Sequence, residues 1–428
     1  MVVVALDLGL TWCKAVAFDR EGRVAASGRR FSAAPPYGVA ESPAVIAGLL
    51  KAATAALREM AAGLPRGEVP AALAVSAAAQ TVVLDTAGVA FAVPPAANRG
   101  QDAAKLQRWG AGGILAHGYA GYLAERLLWI RARHPDWAGR IARAGCLHDY
   151  LMLRLTGRWC TDPASGPGRS PWPEAMTAFG YDLPEILAPE AVAGGLLPDM
   201  AEATGLPSGL PVVIGGHDGA CANLGAGACE PGSCCLTLST NWVPRPVVAA
   251  PIPGAFGYPV GNRSWAWVRG AAAAGRQIDL AVAALDGGGP EVSGERHTAL
   301  AAAVPDGGWP ELPYLPPERA GEQAQRVQAA LGAGFSPGAI YGAVVRASAD
   351  ALAARLAEAR AEGCNPRDYV ATGGFTRSRF VLDLVARRLG GVSIRVAPDE
   401  AAARGAAACA AVAAGWCADP ERALRQED

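Results

Sequence analysis

The sequence is short of charge, and shorter still of lysine. Only 18% of its 428 residues are charged and the formal net charge is −1. Lys14, Lys51 and Lys105 are its only lysines. A surface that binds nucleic acid or an anionic membrane needs a basic excess, so neither partner is expected. Long apolar runs are missing as well. No stretch reaches the roughly 18 residues of a membrane span. The opening VVVALDLGL is short, is broken by Asp7 and has no basic flank or cleavage site, so it does not read as a signal peptide. Histidine is scarce and no Cys-x-x-Cys pair occurs, which argues against zinc. The ten cysteines are irregularly spaced and few for this length, which is not the pattern of a disulfide framework. Adjacent Cys234 and Cys235 sit in an apolar run and read as small buried hydrophobes. The expected compartment is a reducing cytoplasm. Nor does a Gly-x-Gly-x-x-Gly follow the first strand with an acid about 20 residues on, which argues against a dinucleotide-binding dehydrogenase.

What remains is a long chain with a 51% apolar share, much of it alanine. That length exceeds one ordinary core, so two domains are expected. VVVALDLGLTWCKAVAFDREGRV reads strand, turn, strand, turn. A helix is expected over Ser42–Met60, opened by Ser42 and Pro43. AALAVSAAAQTVVLDTAG is a second strand region, and helices follow across Tyr122–His134 and Cys146–Leu155. PVVIGGHDGACANLGAG reads as buried strand, glycine turn and small-residue helix. CCLTLSTNWVPRPVV then repeats the opening strand–turn–strand, as if two related α/β domains each began with it. Residues 286–325 are rich in Gly and Pro and read as elaborated loop. Gly338–Glu362 is a long helix with Tyr341, Val345, Leu352 and Leu356 on one face. The end of the chain reads strand, glycine turn, helix, strand, helix.

Six stretches carry a resemblance. DLGLTWCK, RLLWIRARHP with HDYLMLRLTGRWCTD, GGHDGACANLGAG, LPYLPPERAGE, ATGGFTRS and DEAAARGAAACAA stand in the order and spacing of the FGGY carbohydrate kinases. The chain therefore resembles that family, within the actin, hexokinase and Hsp70 superfamily. The resemblance runs from residue 3 to about 415. It implies an α/β chain of two ribonuclease-H-like (actin-like ATPase) domains with an interdomain cleft. The expected domains are 1–245, with substrate site and catalytic acid, and 246–428, with the nucleotide site. It implies ATP and Mg²⁺ as cofactors, a small sugar or polyol as substrate, and a monomer or homodimer.

The resemblance also places roles. Asp218 is the general base, with Asp7 and Asp218 toward magnesium. Gly9, Leu10, Thr11 and Lys14 form the first phosphate hairpin, and Ser239, Thr240 and Asn241 the second. Gly373, Gly374 and Ser378 lie toward the adenosine. Ser76, Gln80, Asn98, Arg99, His217 and Asp218 lie toward the substrate. The chemistry suits these residue types. Phosphoryl transfer needs positioning and charge neutralisation more than covalent help. Small hairpin residues let backbone N–H groups face phosphate. The residues alone leave alternatives open. Asp218 can be a helix cap, Asp7 a turn acid, His217 a turn cap and Lys14 a solvated strand-edge cation. Glu318 and Arg319 read as an ion pair within their loop.

The departures from the family fall on the sites. Leu10 stands for a threonine, Ser239 for a glycine and Phe375 for the third glycine of the adenosine loop. The family's Trp-x-Asp-x-Arg sugar motif is absent, and AANRGQD holds its place. With the compact length, this resembles the short ribulose-kinase-like branch. The expectation is a kinase acting on a ketose such as a pentulose, or on a polyol. Its alternative is a catalytically weakened nucleotide or sugar sensor.

Overall fold

The computed structural model describes residues 1–9, 12–32, 43–78, 80–92, 134–165, 180–252, 255–261, 263–270, 273–287 and 293–424, with positions 123, 126, 127, 130 and 131. By packing, the chain forms two units. One comprises Met1–Cys229, Pro251–Ser264 and Glu400–Asp428, the other Glu230–Ala250 and Trp265–Asp399. They are not the contiguous segments 1–245 and 246–428. The strands around 233–248 belong to the second unit, and the last helix returns to the first.

The first unit is built on β1 (Val2–Leu8), β2 (Trp12–Phe18), β3 (Val24–Phe31) and β4 (Pro70–Ala77). Helix α1 (Pro43–Ala62) covers one face. Then come β5 (Thr81–Asp85), β6 (Ala90–Ala92), helix α2 (Pro135–Ala138) and β7 (Ile141–Cys146). Helix α3 (Leu147–Thr156), β8 (Cys160–Thr161), β9 (Glu185–Ile186), β10 (Val192–Gly195), helix α4 (Pro198–Thr204) and β11 (Pro211–His217) follow. The main sheet runs β10-β11-β4-β1-β2-β3. β1 is buried on both faces, which is why its sequence is continuously apolar. Val2, Val4, Leu6 and Leu8 face the α1 core. Val3 and Ala5 pack instead with Cys221, Ala403 and Ala407. Asp7 has the parity of Val3 and Ala5, so it lies on that second face.

That face is covered by α5 (Asp218–Gly225) and by the last helix of the chain. The second unit begins with β12 (Ser233–Leu238) and β13 (Trp242–Val248). The chain returns to the first unit at β14 (Gly257–Val260). It then supplies β15 (Ser264–Trp267), α6 (Ala274–Leu285), α7 (Gly294–Ala302), α8 (Gln323–Gly332) and α9 (Pro337–Ala361). β16 (Asp368–Thr372), α10 (Arg379–Arg388) and β17 (Ile394–Val396) complete the second unit, and α11 (Ala401–Ala413) closes on the first. β12 pairs antiparallel with β13 and parallel with β16, just as β1 pairs with β2 and β4. The repeat expected from the two strand–turn–strand segments is therefore one of topology.

One sequence expectation is corrected, and one falls partly outside the described residues. Residues 286–325 hold α7 and a 3₁₀ turn over Pro317–Glu322 besides loop. α7 buries only Leu300, so it leaves little periodicity to read. Arg319 pairs with Glu322 at 2.6 Å, an i,i+3 contact that the 3₁₀ turn creates. The side chain of Glu318 lies outside the described residues, as does Ser42 at the start of α1.

α5 and α11 meet through paired glycines. A Cβ on Gly225 would lie 1.9 Å from the Ala401 carbonyl oxygen, and one on Gly405 would lie 1.9 Å from that of Cys221. Backbone blocks both positions, so the helices would have to part. Gly405→Ala is expected to destabilise the protein by roughly 2–3 kcal/mol, seen as an earlier thermal transition by circular dichroism. A wild-type transition would show that the helix spacing is not set here.

Candidate active site

Strand register builds the first half of the site. Asp7 at the end of β1 pairs with Lys14 on β2 and with Ser76 on β4, and Ser76 pairs with Gly216 on β11. A cation, a carboxylate, a hydroxyl and a glycine thus stand in one row across four strands. Ser76 Oγ donates to Asp7 Oδ1 at 2.8 Å. The fully buried serine is spent on orienting Asp7. Lys14 Nζ lies 2.6 Å from Glu400 Oε2. Burial pushes the Asp7 carboxyl up to about 6, with Lys14 and the Ser76 hydrogen bond pulling down and Asp218 and Glu400 pushing further up.

Glu400 was not singled out from the sequence. It caps the start of α11 with φ +61°, a left-handed conformation that an unbranched L residue adopts only under constraint. The only clue in the sequence was its place in DEAAARGAAACAA. Neither the φ angle nor a partner 386 positions away can be read there.

The hairpin itself is closed by Gly9. Its N–H donates to Trp12 O at 3.1 Å and its carbonyl accepts from Ser32 Oγ at 2.9 Å. The amide of Gly9 is therefore engaged within the turn. Leu10 and Thr11, which the sequence placed in the phosphate cradle, lie outside the described residues, as do Asn98 and Arg99. Gln80 donates its side-chain amide to Thr81 O at 3.3 Å, beside the row but not in it.

Asp218 is delivered by β11. Gly215 and Gly216 have φ of +64° and +147°, and the pairing with β4 shifts register there. His217 caps α5, its Nδ1 accepting from the Gly219 N–H at 3.2 Å. An accepting Nδ1 leaves the proton on Nε2, which stands 3.0 Å from Asp218 Oδ1 and donates to it. The ring also packs edge-on against Tyr258 at 4.7 Å. His217 thus holds the N-cap position, and Asp218 Oδ1 shares the same Gly219 N–H at 2.7 Å. Asp218 is the first helical residue, its side chain 41% exposed and open to a reactant.

The second unit gathers the remaining candidates. Asn241 Oδ1 accepts from the Ala273 N–H at 2.5 Å, and the Arg276 N–H donates to Thr240 O at 3.1 Å. The Ser239–Asn241 turn is thereby laced to the start of α6. A Cβ on Gly373 would lie 2.4 Å from Leu238 O, so this glycine lets the 373–378 loop rest on the end of β12. Ser378 caps α10 through the Val381 N–H at 3.4 Å. Phe375 packs with the rings of Trp242 and His297, at 5.8 and 5.3 Å. His297 is held in turn by Asp279 at 3.1 Å.

Among the described residues, no group of three or more His, Cys, Asp or Glu is arranged to hold a metal. The Asp7 and Asp218 carboxylates are near enough for the charge of Asp218 to push the Asp7 carboxyl up. Two hard oxygens without a closed cage suit a magnesium ion that keeps its waters and arrives on phosphate.

Comparison with known proteins finds two consecutive matches along the chain. Residues 111–225 match the N-terminal domain of the FGGY family of carbohydrate kinases, and residues 232–414 its C-terminal domain. The chain belongs to the FGGY family of carbohydrate kinases. It is similar to the xylulose kinase of Escherichia coli, 29% identical over 325 residues, covering 71% of this chain and 66% of that protein. It is also similar to the xylulose kinase of Haemophilus influenzae, 30% identical over 135 residues, 28% of this chain and 27% of that one. The matched stretches thus span less than two thirds of the length of these curated relatives. In fold it is similar to the crystal structure of xylulose kinase from Rhodospirillum rubrum, with a TM-score of 0.74 at 23% identity, covering 96% of this chain and 90% of that one. The fold is the two-domain, actin-like FGGY fold.

Proposed function

We propose that this chain is an ATP- and Mg²⁺-dependent kinase that transfers the γ-phosphoryl group to a hydroxyl of a small ketose, a pentulose first. Asp218 is the general base. The observation that carries the reading is the row Lys14, Asp7, Ser76 and Gly216, with Asp218 entering α5 two residues beyond it. The xylulose kinases among its relatives favour a pentulose over a polyol. The first unit would hold substrate and base, and the turns at 239–241 and 373–378 in the second would hold nucleotide.

Asp218 would take the proton of the attacking hydroxyl, a contribution of about 10²–10⁴-fold. His217 Nε2–H fixes the Oδ1 side of that carboxylate. Asp7, oriented by Ser76, and Asp218 would hold Mg²⁺, which supplies charge neutralisation on the phosphates. Lys14 would exchange part of its Glu400 contact for a phosphate oxygen. Full activity rather than a weakened sensor is supported by Phe375, whose ring is taken up by Trp242 and His297. A cytoplasmic site of action fits ten cysteines that are all free thiols, nine of them buried. Among the described residues no helix is long and apolar enough to cross a membrane.

Lys14→Met tests the phosphate contact. The Lys14–Glu400 pair is about 30% exposed on each side, so its loss costs little stability, at most about 1 kcal/mol. kcat/KM for MgATP is expected to fall about ten- to hundredfold. Unchanged kinetics would return Lys14 to a solvated strand-edge role. The direct test of the whole proposal is ADP release with MgATP and a panel of D-xylulose, D-ribulose, L-ribulose and glycerol.

A further inference from the structure

A second polar group lies behind the strand that carries Asp218, fully inside the protein. His148, Asp149, Thr161, Asp162 and Ser165 are each at most 1% exposed. They come from the start of α3, from the end of β8 and from the chain just after it. Charges this deep are costly unless they are paired and hydrogen-bonded.

Their contacts converge on the end of β11. His148 Nε2 lies 2.8 Å from Ile214 O. A carbonyl only accepts, so that nitrogen carries a proton. Nδ1 of the same ring lies 3.5 Å from Asp149 Oδ1. Asp149 is itself fixed by the Cys146 N–H at 2.7 Å. Asp162 presses on the next residue but one. A Cβ at Gly216 would meet its carboxylate carbon at 2.8 Å. Asp162 Oδ1 accepts from the Ala164 N–H at 2.8 Å, while Oδ2 has no hydrogen-bond partner among the described residues. From the opposite side, a Cβ at Gly215 would lie 2.1 Å from Val75 O. The irregular pair Gly215–Gly216 thus has no room for a side chain, against Val75 at one residue and the Asp162 carboxylate at the next, and its upstream carbonyl is held by His148. Burial alone would discharge His148, but Asp149 and Asp162 outweigh it and hold the ring above its ordinary pKa.

We propose that His148 and Asp162 are positioning residues for phosphoryl transfer: they fix the Ile214 carbonyl and the Gly216 backbone, and so the place of the Asp218 carboxylate. This rests on the reading of Asp218 as the base. Neither residue touches the reactants. They act through the bulge, and a displacement of about 1 Å at a reacting group costs on the order of a hundredfold in rate.

The test uses the full-length protein with His148→Leu, which removes the donor, and His148→Gln, whose side-chain amide can still donate to Ile214 O. The probes are MgATP and D-xylulose. For His148→Leu, kcat is expected to fall about hundredfold with KM for MgATP within about threefold, and His148→Gln is expected to recover most of the loss. A role in folding alone would lower the thermal transition of both variants and leave kcat per folded molecule unchanged, which would overturn the proposal. Crystal structures of wild type and His148→Leu/Asp162→Asn give a readout that needs no turnover. The Asp218 carboxylate is expected to move by about 1 Å, and one that stays within about 0.5 Å of its wild-type position overturns the proposal. If the wild type turns over none of the ketose panel, the kinase reading fails, and the crystallographic comparison still decides this one.

Discussion

Asp218→Ala is expected to abolish phosphoryl transfer and to weaken MgATP binding only modestly, because Asp7 remains as a magnesium ligand and the ion arrives on the nucleotide phosphates with most of its waters. The expected fall in kcat is at least about 10²–10⁴-fold, the range that one positioned base supplies. The side chain is 41% exposed and its structural work is slight, because the Gly219 N–H that it accepts is shared with His217. The variant should therefore melt close to wild type, with the loss mainly in kcat. Isothermal titration with MgATP and a coupled ADP assay on the same preparation separate the two effects. A variant that retains wild-type kcat would move the base elsewhere. One that loses MgATP affinity in proportion would make Asp218 a metal ligand alone.

Asp7→Asn has two effects of opposite sign. It removes the carboxylate expected at the magnesium and should eliminate turnover. It should also stabilise the metal-free protein at neutral pH. The Asp7 carboxyl is raised from 3.8 to about 6, chiefly by burial. The folded state therefore binds a proton more tightly than the unfolded chain. Stability is higher below about pH 4, falls as pH rises through about 6, and carries the full cost of the buried charge above that. The shift corresponds to about 3 kcal/mol as an upper value. In EDTA at pH 7.5, Asp7→Asn is expected to melt several degrees above wild type, with the difference closing toward pH 4. A variant that is less stable at pH 7.5, or a difference that ignores pH, would contradict the burial account. Such a residue is kept for its chemistry at a cost to the fold.

β1, β2, β4, β5, β11, β12, β13 and β16 could be read in the sequence because their physics is local, whereas short strands such as β8, β9 and β10 could not. β1 is apolar on both faces and ends on an acid, so alternation alone put Asp7 on the face opposite Leu6 and Leu8. The glycines before Asp218 and Gly373 could be read as backbone devices. What they lean on, an Asp162 carboxylate and a Leu238 carbonyl, could not. Three kinds of information were out of reach. Glu400 meets Lys14 from the far end of the chain and through a left-handed φ that no composition shows. The packing units are discontinuous, because an alanine-rich helix reads the same whichever sheet it covers, and α11 covers the first. The buried His148 cluster looked like an ordinary helix start, since HDYLMLRLTG reads as cap and apolar stripe. Only its contacts at Ile214 O and Gly216 tie it to the strand that leads to Asp218.

The most direct test of the central claim is one coupled assay of ADP release by wild type and Asp218→Ala, each with MgATP and the ketose and glycerol panel, alongside a thermal melt of both proteins. The account predicts that the wild type turns over at least one ketose and that Asp218→Ala, equally folded, turns over none. A folded wild type silent on every acceptor, or an Asp218→Ala variant matching the wild type, would contradict it.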